Sequence, residues 1–374
     1  MQRLRIAFLV CFAIFCARGL KAQSQEECEQ VLNRAIEEFN AGHFYGIPSM
    51  LHDCLERNQR AAWRQRAYIL LAETYLLLDD PVGAERSYLE ILRANPEFVP
   101  DRNRDPIDLV YLGSKFTGEP IFSLYGRIGA NVSPVNLLKT RSALAGDVTH
   151  DYKWRTGIGA GVGAQYHYDQ NFGVTLELNY MFTAYQYETT RAFGRDKLSV
   201  FDRQNWFKIP VTFRYSDSEG KYRPFGYIGY SVDMLFRDRG TLTFDDRNFT
   251  DGRIVPDERE SPVINFNPKR NKINQALLFG GGVKYKLGLD YAFVDVRYSI
   301  GLTNVVKVEN TINSADTEDP VFQWGYVDNL YKINNLSVSI GYIYPLYKPR
   351  KLKKARSKSV LKRIKKQDDE VTQD

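Results

Sequence analysis

The chain has 374 residues, of which 43% are hydrophobic, 13% aromatic and 26% charged, with a formal net charge of +6. The charge is polarised: Lys348 to Lys366 holds eleven bases and no acid, Arg3, Arg5, Arg18 and Lys21 crowd the other end, and the body between is net acidic. This excludes a uniformly basic, nucleic-acid-binding surface, and no stretch after the first residues has the roughly 18 consecutive apolar residues of a membrane helix.

The chain opens on "MQRLR", a short basic segment, followed by the apolar run "IAFLVCFAIFC" and a small-residue site after Ala22. This predicts a signal peptide over 1–22 and an envelope destination. Phe15 is bulky where a lipoprotein signal before Cys16 wants a small residue. Cys28 and Cys54 remain after cleavage. An oxidising compartment favours a disulfide between them, with two buried thiols as the alternative.

Residues 23–115 have helical periodicity. In "QEECEQVLNRAIEEFNAGHF", Val31, Leu32, Ala35, Ile36 and Phe39 share a face. In "AYILLAETYLLLDDPVGAERSYLEILRANPEF", Leu71, Ala72, Tyr75, Ala84, Tyr88, Ile91 and Pro96 resemble one tetratricopeptide repeat, with a weaker copy around Ala35, Gly42, Phe44, Ile47, Leu51 and Cys54. That resemblance implies a small protein-binding helical module, with a plain helical hairpin pair as the alternative. Arg64, Arg66, Glu73 and Tyr75 are its candidate partner-binding residues.

After residue 120 the period becomes two. "FSLYGRIGANV", "VTLELNYMFTA", "FKIPVTFRY" and "LSVSIGYIY" each alternate apolar and polar positions. Eight such strands are expected near 121–132, 155–168, 172–186, 204–215, 222–236, 275–287, 290–303 and 334–345. Short links ("YDQNFG", "SDSEGK", "LGLD") alternate with long polar ones. Aromatics gather near both rims: Tyr168, Phe172, Tyr215, Tyr222, Tyr285, Tyr291, Tyr344 and Tyr347 at the short turns, and Trp154, Tyr185, Trp206 and Phe236 at the other end. An even strand count, unequal rims and two aromatic girdles predict an eight-stranded antiparallel transmembrane β-barrel over 120–347, preferred to a soluble sandwich. The fold class is thus α+β multidomain, with a periplasmic helical module ahead of the barrel.

The segments "WFKIPVTFRY", "PFGYIGYSVDMLF", "FGGGVKYKLG" and "VDVRYSIGLTNV" resemble, in order and spacing, the PorT-like outer-membrane barrels of Bacteroidota. The resemblance implies an outer-membrane location in an envelope that often carries secretion and gliding machinery, and no single activity.

The inward parity collects Arg127, Glu177, Lys208, Arg214, Asp233, Lys284, Lys286, Asp295 and Arg297, and an eight-stranded lumen is narrow enough for side chains to fill. A lumen plugged by paired charges is expected ahead of an ion path. In "VDVRYSIGLTNV", Val294, Val296, Tyr298, Ile300 and Leu302 are expected to face lipid, and Asp295, Arg297, Ser299 and Gly301 the lumen. "GIGAGVG" at 157–163 lies in a strand rather than before a helix, so it reads as room for lumen side chains, not as a dinucleotide loop. Only His43, His52, His150 and His167 are available for histidine chemistry, and none stands in a recognisable catalytic or metal-binding pattern. No enzyme activity and no cofactor are expected. The tail over 348–374 is expected to be disordered and periplasmic, touching phospholipid or an acidic partner if anything. The leading expectation is a non-enzymatic anchor or scaffold in outer-membrane lipid that engages an envelope protein. The alternative is a barrel that binds a ligand through its long loops over 237–273 and 304–333, with "DERE", "DTEDP" and "FQWGY".

Overall fold

A computed structural model describes residues 26–58, 60–141, 149–191, 196–250, 253–308 and 324–352. The expected signal peptide, the tail beyond 352 and "DTEDP" lie outside the described residues. The chain divides into two units, Ile121–Leu346 and a second made of Met1–Pro120 with Tyr347–Asp374.

The second unit is helical: α1 (26–40), α2 (Ile47–Arg57), α3 (Ala61–Leu77), α4 (Pro81–Ala94) and α5 (Ile107–Gly113). Local signals set its joints. Asp80 caps α4 by accepting from the Val82 and Gly83 amides, and Pro81 follows at the first helical position. Gly83 leaves room for the Tyr75 ring, which a Cβ there would meet at 2.7 Å. Leu32, Ala35, Ile47, Leu51, Trp63 and Ala67 form one core, and Ala72, Ala84, Tyr88, Ile91, Leu109 and Phe116 form another.

Cys28 and Cys54 are joined as a disulfide across 26 residues, tying α1 to α2. A loop of that length restricts the unfolded chain by about 3 kcal/mol. Reduction is therefore expected to lower the midpoint of the helical circular-dichroism signal. The gel mobility of the folded barrel should stay unchanged.

The tail departs from expectation at its start. β1 (Phe116–Thr117) pairs antiparallel with β14 (Arg350–Lys351). The Leu352 amide donates to the Lys115 carbonyl at 2.7 Å, and Lys351 Nζ lies 2.5 Å from a Glu85 carboxylate oxygen. A base with an acid to meet and a strand edge to join is ordered, whatever the composition of the residues after it.

In the other unit eight strands close into a ring: β2 (Phe122–Val132), β4 (Asp151–His167), β5 (Phe172–Arg191), β6 (Asp196–Ser216), β7 (Tyr222–Thr250), β10 (Ile273–Leu287), β11 (Asp290–Gly301) and β13 (Asn335–Leu346). Each pairs antiparallel with its neighbour. β10 pairs with β7, and β13 returns to β2, where Leu346 meets Phe122. Shorter strands β3 (Val135–Lys139), β8 (Arg253–Glu260), β9 (Ile264–Asn265) and β12 (Leu330–Ile333) edge the long-loop rim.

The alternation is that of a membrane barrel. Ile128, Leu176, Phe213, Ile228, Val294, Val296 and Ile340 are exposed, while Glu177, Arg214, Asp295, Arg297 and Ser339 are buried. In water so continuous an apolar exterior would be a severe liability; in lipid it is the stable arrangement.

Two expectations need correction. Tyr185, Trp206 and Tyr291 face the interior rather than a girdle. Tyr291 shares strand parity with Asp295, and Trp206 with Lys208, so they follow their neighbours inward. The long links after the third and fifth expected strands are largely strand: β5, β6 and β7 run on past the apolar band, pairing from Glu188↔Ser199 to Asp196↔Asp246. "DERE" lies in β8.

Candidate functional site: the barrel lumen

The lumen is built in three layers. In the middle, Glu177 on β5 and Arg297 on β11 stand four strands apart in the ring, on opposite walls. They meet across it in a two-pronged contact, Nη1 to Oε2 and Nη2 to Oε1, both 2.8 Å. The Tyr125 hydroxyl donates to Glu177 at 2.7 Å and the Asn179 amide at 2.9 Å. Asp295 does not pair with its strand neighbour Arg297. It accepts from the Tyr227 and Ser339 hydroxyls and lies 3.2 Å from Arg127. Lys208 meets Asp233 across the β6–β7 ladder at 2.9 Å. Three acids face three bases in this layer. Such pairing is what makes buried charge tolerable. A cavity of about 40 Å³, room for a water or so, lies among Arg127, Asn179, Lys208 and Asp233.

Glycines make this filling possible. A Cβ on Gly163 would meet the Tyr125 ring at 2.5 Å, and one on Gly341 the Phe293 ring at 2.3 Å. Tyr125, Phe225, Tyr227, Tyr291 and Phe293 thus pack together inside the barrel.

The upper layer was not foreseen. Arg270, fully buried, lies 2.6 Å from Asp238, 3.3 Å from Asp202 and 2.9 Å from Asp328. The Asp328 contact is an ion pair without hydrogen-bond alignment, since Arg270 Nη1 has no bonded acceptor. Tyr185 donates to Asp202, the Gln204 amide to Asp238 at 3.1 Å, and the Tyr326 hydroxyl to Asp328 at 2.8 Å. Phe266, Val306 and Tyr331 are buried around them. The segments carrying Phe266–Arg270 and Tyr326–Tyr331 therefore fold into the long-loop mouth. Of "FQWGY", Tyr326 is core, and Phe322 and Gln323 lie outside the described residues. Asp202 and Gln204 continue the inward parity of Lys208, so part of this layer was within reach of strand counting. Arg270 sits in a stretch with no period at all.

The lower layer, at the short turns, holds Arg214 and Lys284 among rings and neutral polar groups. His167 Nε2 lies 2.8 Å from Ser123 Oγ. His150 stacks on Tyr187, His43 meets Glu38, and His52 stands beside Asp53.

In the helical unit the candidate partner residues are less available than expected. Arg64 is half-buried, reaching Glu90 at 3.5 Å and lying over the Tyr68 ring. Tyr75 is half-buried packing. Glu73 is half-buried, and burial first, then the Asp105 charge, push its carboxyl above the usual range. Arg66 is exposed and bonded to Glu29 at 2.6 Å.

Residues 122–307 match the family described as outer membrane protein beta-barrel domain. No curated protein matches the chain. Among solved structures it is similar to Neisserial surface protein A (12% identity, covering 62% of this chain and 99% of that one, TM-score 0.27). It is also similar to OprG from Pseudomonas aeruginosa (13%, 62% and 99%, TM-score 0.31). A third is the outer membrane protease OmpT from Escherichia coli (8%, 62% and 98%, TM-score 0.28).

Proposed function

We propose that this chain, whose residues 122–307 match the outer-membrane β-barrel domain family, is a non-enzymatic outer-membrane anchor holding its helical unit to an envelope assembly. The observation that carries this reading is the filled lumen: the Glu177–Arg297 contact spans its width and the Arg270 cluster fills its upper mouth. A barrel filled in this way suits holding more than conducting. Both flanks of the barrel unit leave beside the short turns, where Phe122 pairs with Leu346. In outer-membrane barrels that rim is periplasmic. On this reading the helical unit and tail are periplasmic, a tetratricopeptide-like module presents a surface to a protein partner, and the barrel is of the PorT-like Bacteroidota kind.

Affinity purification of the tagged full-length protein after mild detergent extraction tests it. Envelope proteins should co-purify, and Arg66→Glu, at the one exposed candidate position, should reduce their recovery. Recovery of no envelope protein, or steady conductance in planar bilayers, would sink the reading.

A further inference from the structure

Beyond anchoring, the geometry points to a binding site for a small oxyanion of the phosphate class at the short-turn mouth of the lumen, built by Arg214, Lys284 and His167. The three charge layers differ. The middle is balanced and the upper has more acids than bases, but in the lower no carboxylate among the described residues forms an ion pair with Arg214, Lys284 or Arg223.

The side chains there are held by neutral groups. Arg214, 1% exposed, donates through Nη1 to Gln165 Oε1 at 3.2 Å, and its Nε has no partner. Its guanidinium lies over the rings of Phe225, Tyr227 and Tyr125, at 4.8, 5.3 and 5.4 Å. Lys284, also buried, donates to Ser216 Oγ at 3.1 Å and lies near the Phe225 ring. His167 on β4 is level with Arg214 on β6, both in register with Gly173 of β5 between them. Arg223, half-exposed and directly across the β7–β10 ladder from Lys284, donates to the Tyr291 hydroxyl at 2.8 Å. Three acids of the short turns have other partners: Asp169 accepts from the Gln170 amide, Asp217 from the Glu219 amide, and Asp290 from the Tyr342 hydroxyl.

A guanidinium cannot discharge itself by losing a proton, so Arg214 stays a buried charge with no paired carboxylate among the described residues, whereas Lys284 beside it can relieve the repulsion by giving up a proton. Ring faces offset part of this cost and do not neutralise it. An oxyanion would supply what is missing: an acceptor for Arg214 Nε, acceptors for Lys284, and a negative charge that lets both bases stay protonated. His167 and Arg223, both half-exposed, mark the way in from the short-turn side.

Calorimetric titration of the full-length protein in detergent micelles and chloride buffer, with inorganic phosphate as probe, tests this. One phosphate per chain should bind saturably. Lys284→Gln, which keeps a donor to Ser216, should weaken it about tenfold, the effect of losing one charge-assisted hydrogen bond. Heat-modifiable gel migration checks that the variant is still a barrel. Acetate in the same assay separates sources: tighter acetate assigns the site to a carboxylate. Absence of saturable phosphate and acetate binding, or equal binding by wild type and Lys284→Gln, overturns the site.

Discussion

Arg297→Met is expected to destabilise the barrel by about 3–5 kcal/mol, the usual consequence of removing one partner from a buried, hydrogen-bonded pair. The side chain removed bonds Glu177 twice and the Tyr227 hydroxyl once. Glu177 would keep the Tyr125 and Asn179 donors, but its remaining base, Arg127, stands 3.7 Å away and already serves Asp295. Urea unfolding in lipid vesicles, followed by the gel shift between folded and unfolded forms, measures the loss. The double variant Glu177→Gln/Arg297→Met removes both charges together and should recover most of it. If the double variant is as unstable as the single, the contact matters through packing rather than charge.

Arg270→Met is expected to open the upper mouth. Asp202, Asp238 and Asp328 share this one guanidinium, so its loss leaves three buried acids without a base among the described residues, again about 3–5 kcal/mol. The effect should be local. Protease added from the long-loop side should cut near Phe266–Arg270 or Tyr326–Tyr331 in the variant and not in wild type, with gel migration of the barrel retained. Arg270→Lys should protect only in part, because an ammonium lacks the planar fork that reaches several carboxylates at once. Equal protease resistance in Arg270→Met and wild type would remove this cluster from the account of how the mouth is closed.

The barrel was readable from the sequence because lipid imposes a strict rule: every second residue within the band must be apolar. That rule located all eight strands of the ring and put Glu177, Asp295 and Arg297 inside. It stops where the band stops. Above it both faces of a strand meet water or protein, so the extensions of β5, β6 and β7 carry no clean alternation and read as loop. Parity also says which side chains enter the lumen and not which of them meet. Asp295 and Arg297 are same-face neighbours along β11, and each bonds to residues of other strands, because ring closure and strand stagger decide who stands opposite whom. Arg270 was beyond reach for a different reason. Its partners come from β6, β7 and the segment before β12, and nothing local marks it as the centre of three acids.

One small sheet bears on how the molecule is completed. β1 is made before any strand of the ring, and β14 after all of them. The helical unit therefore contains both the earliest and the latest described parts of the chain, with the whole barrel strung between them. Its β1–β14 sheet can exist only once synthesis has passed Lys351. A partner that grips this sheet, or the Glu85–Lys351 contact beside it, would distinguish a chain that extends past Lys351 from one cut short before it.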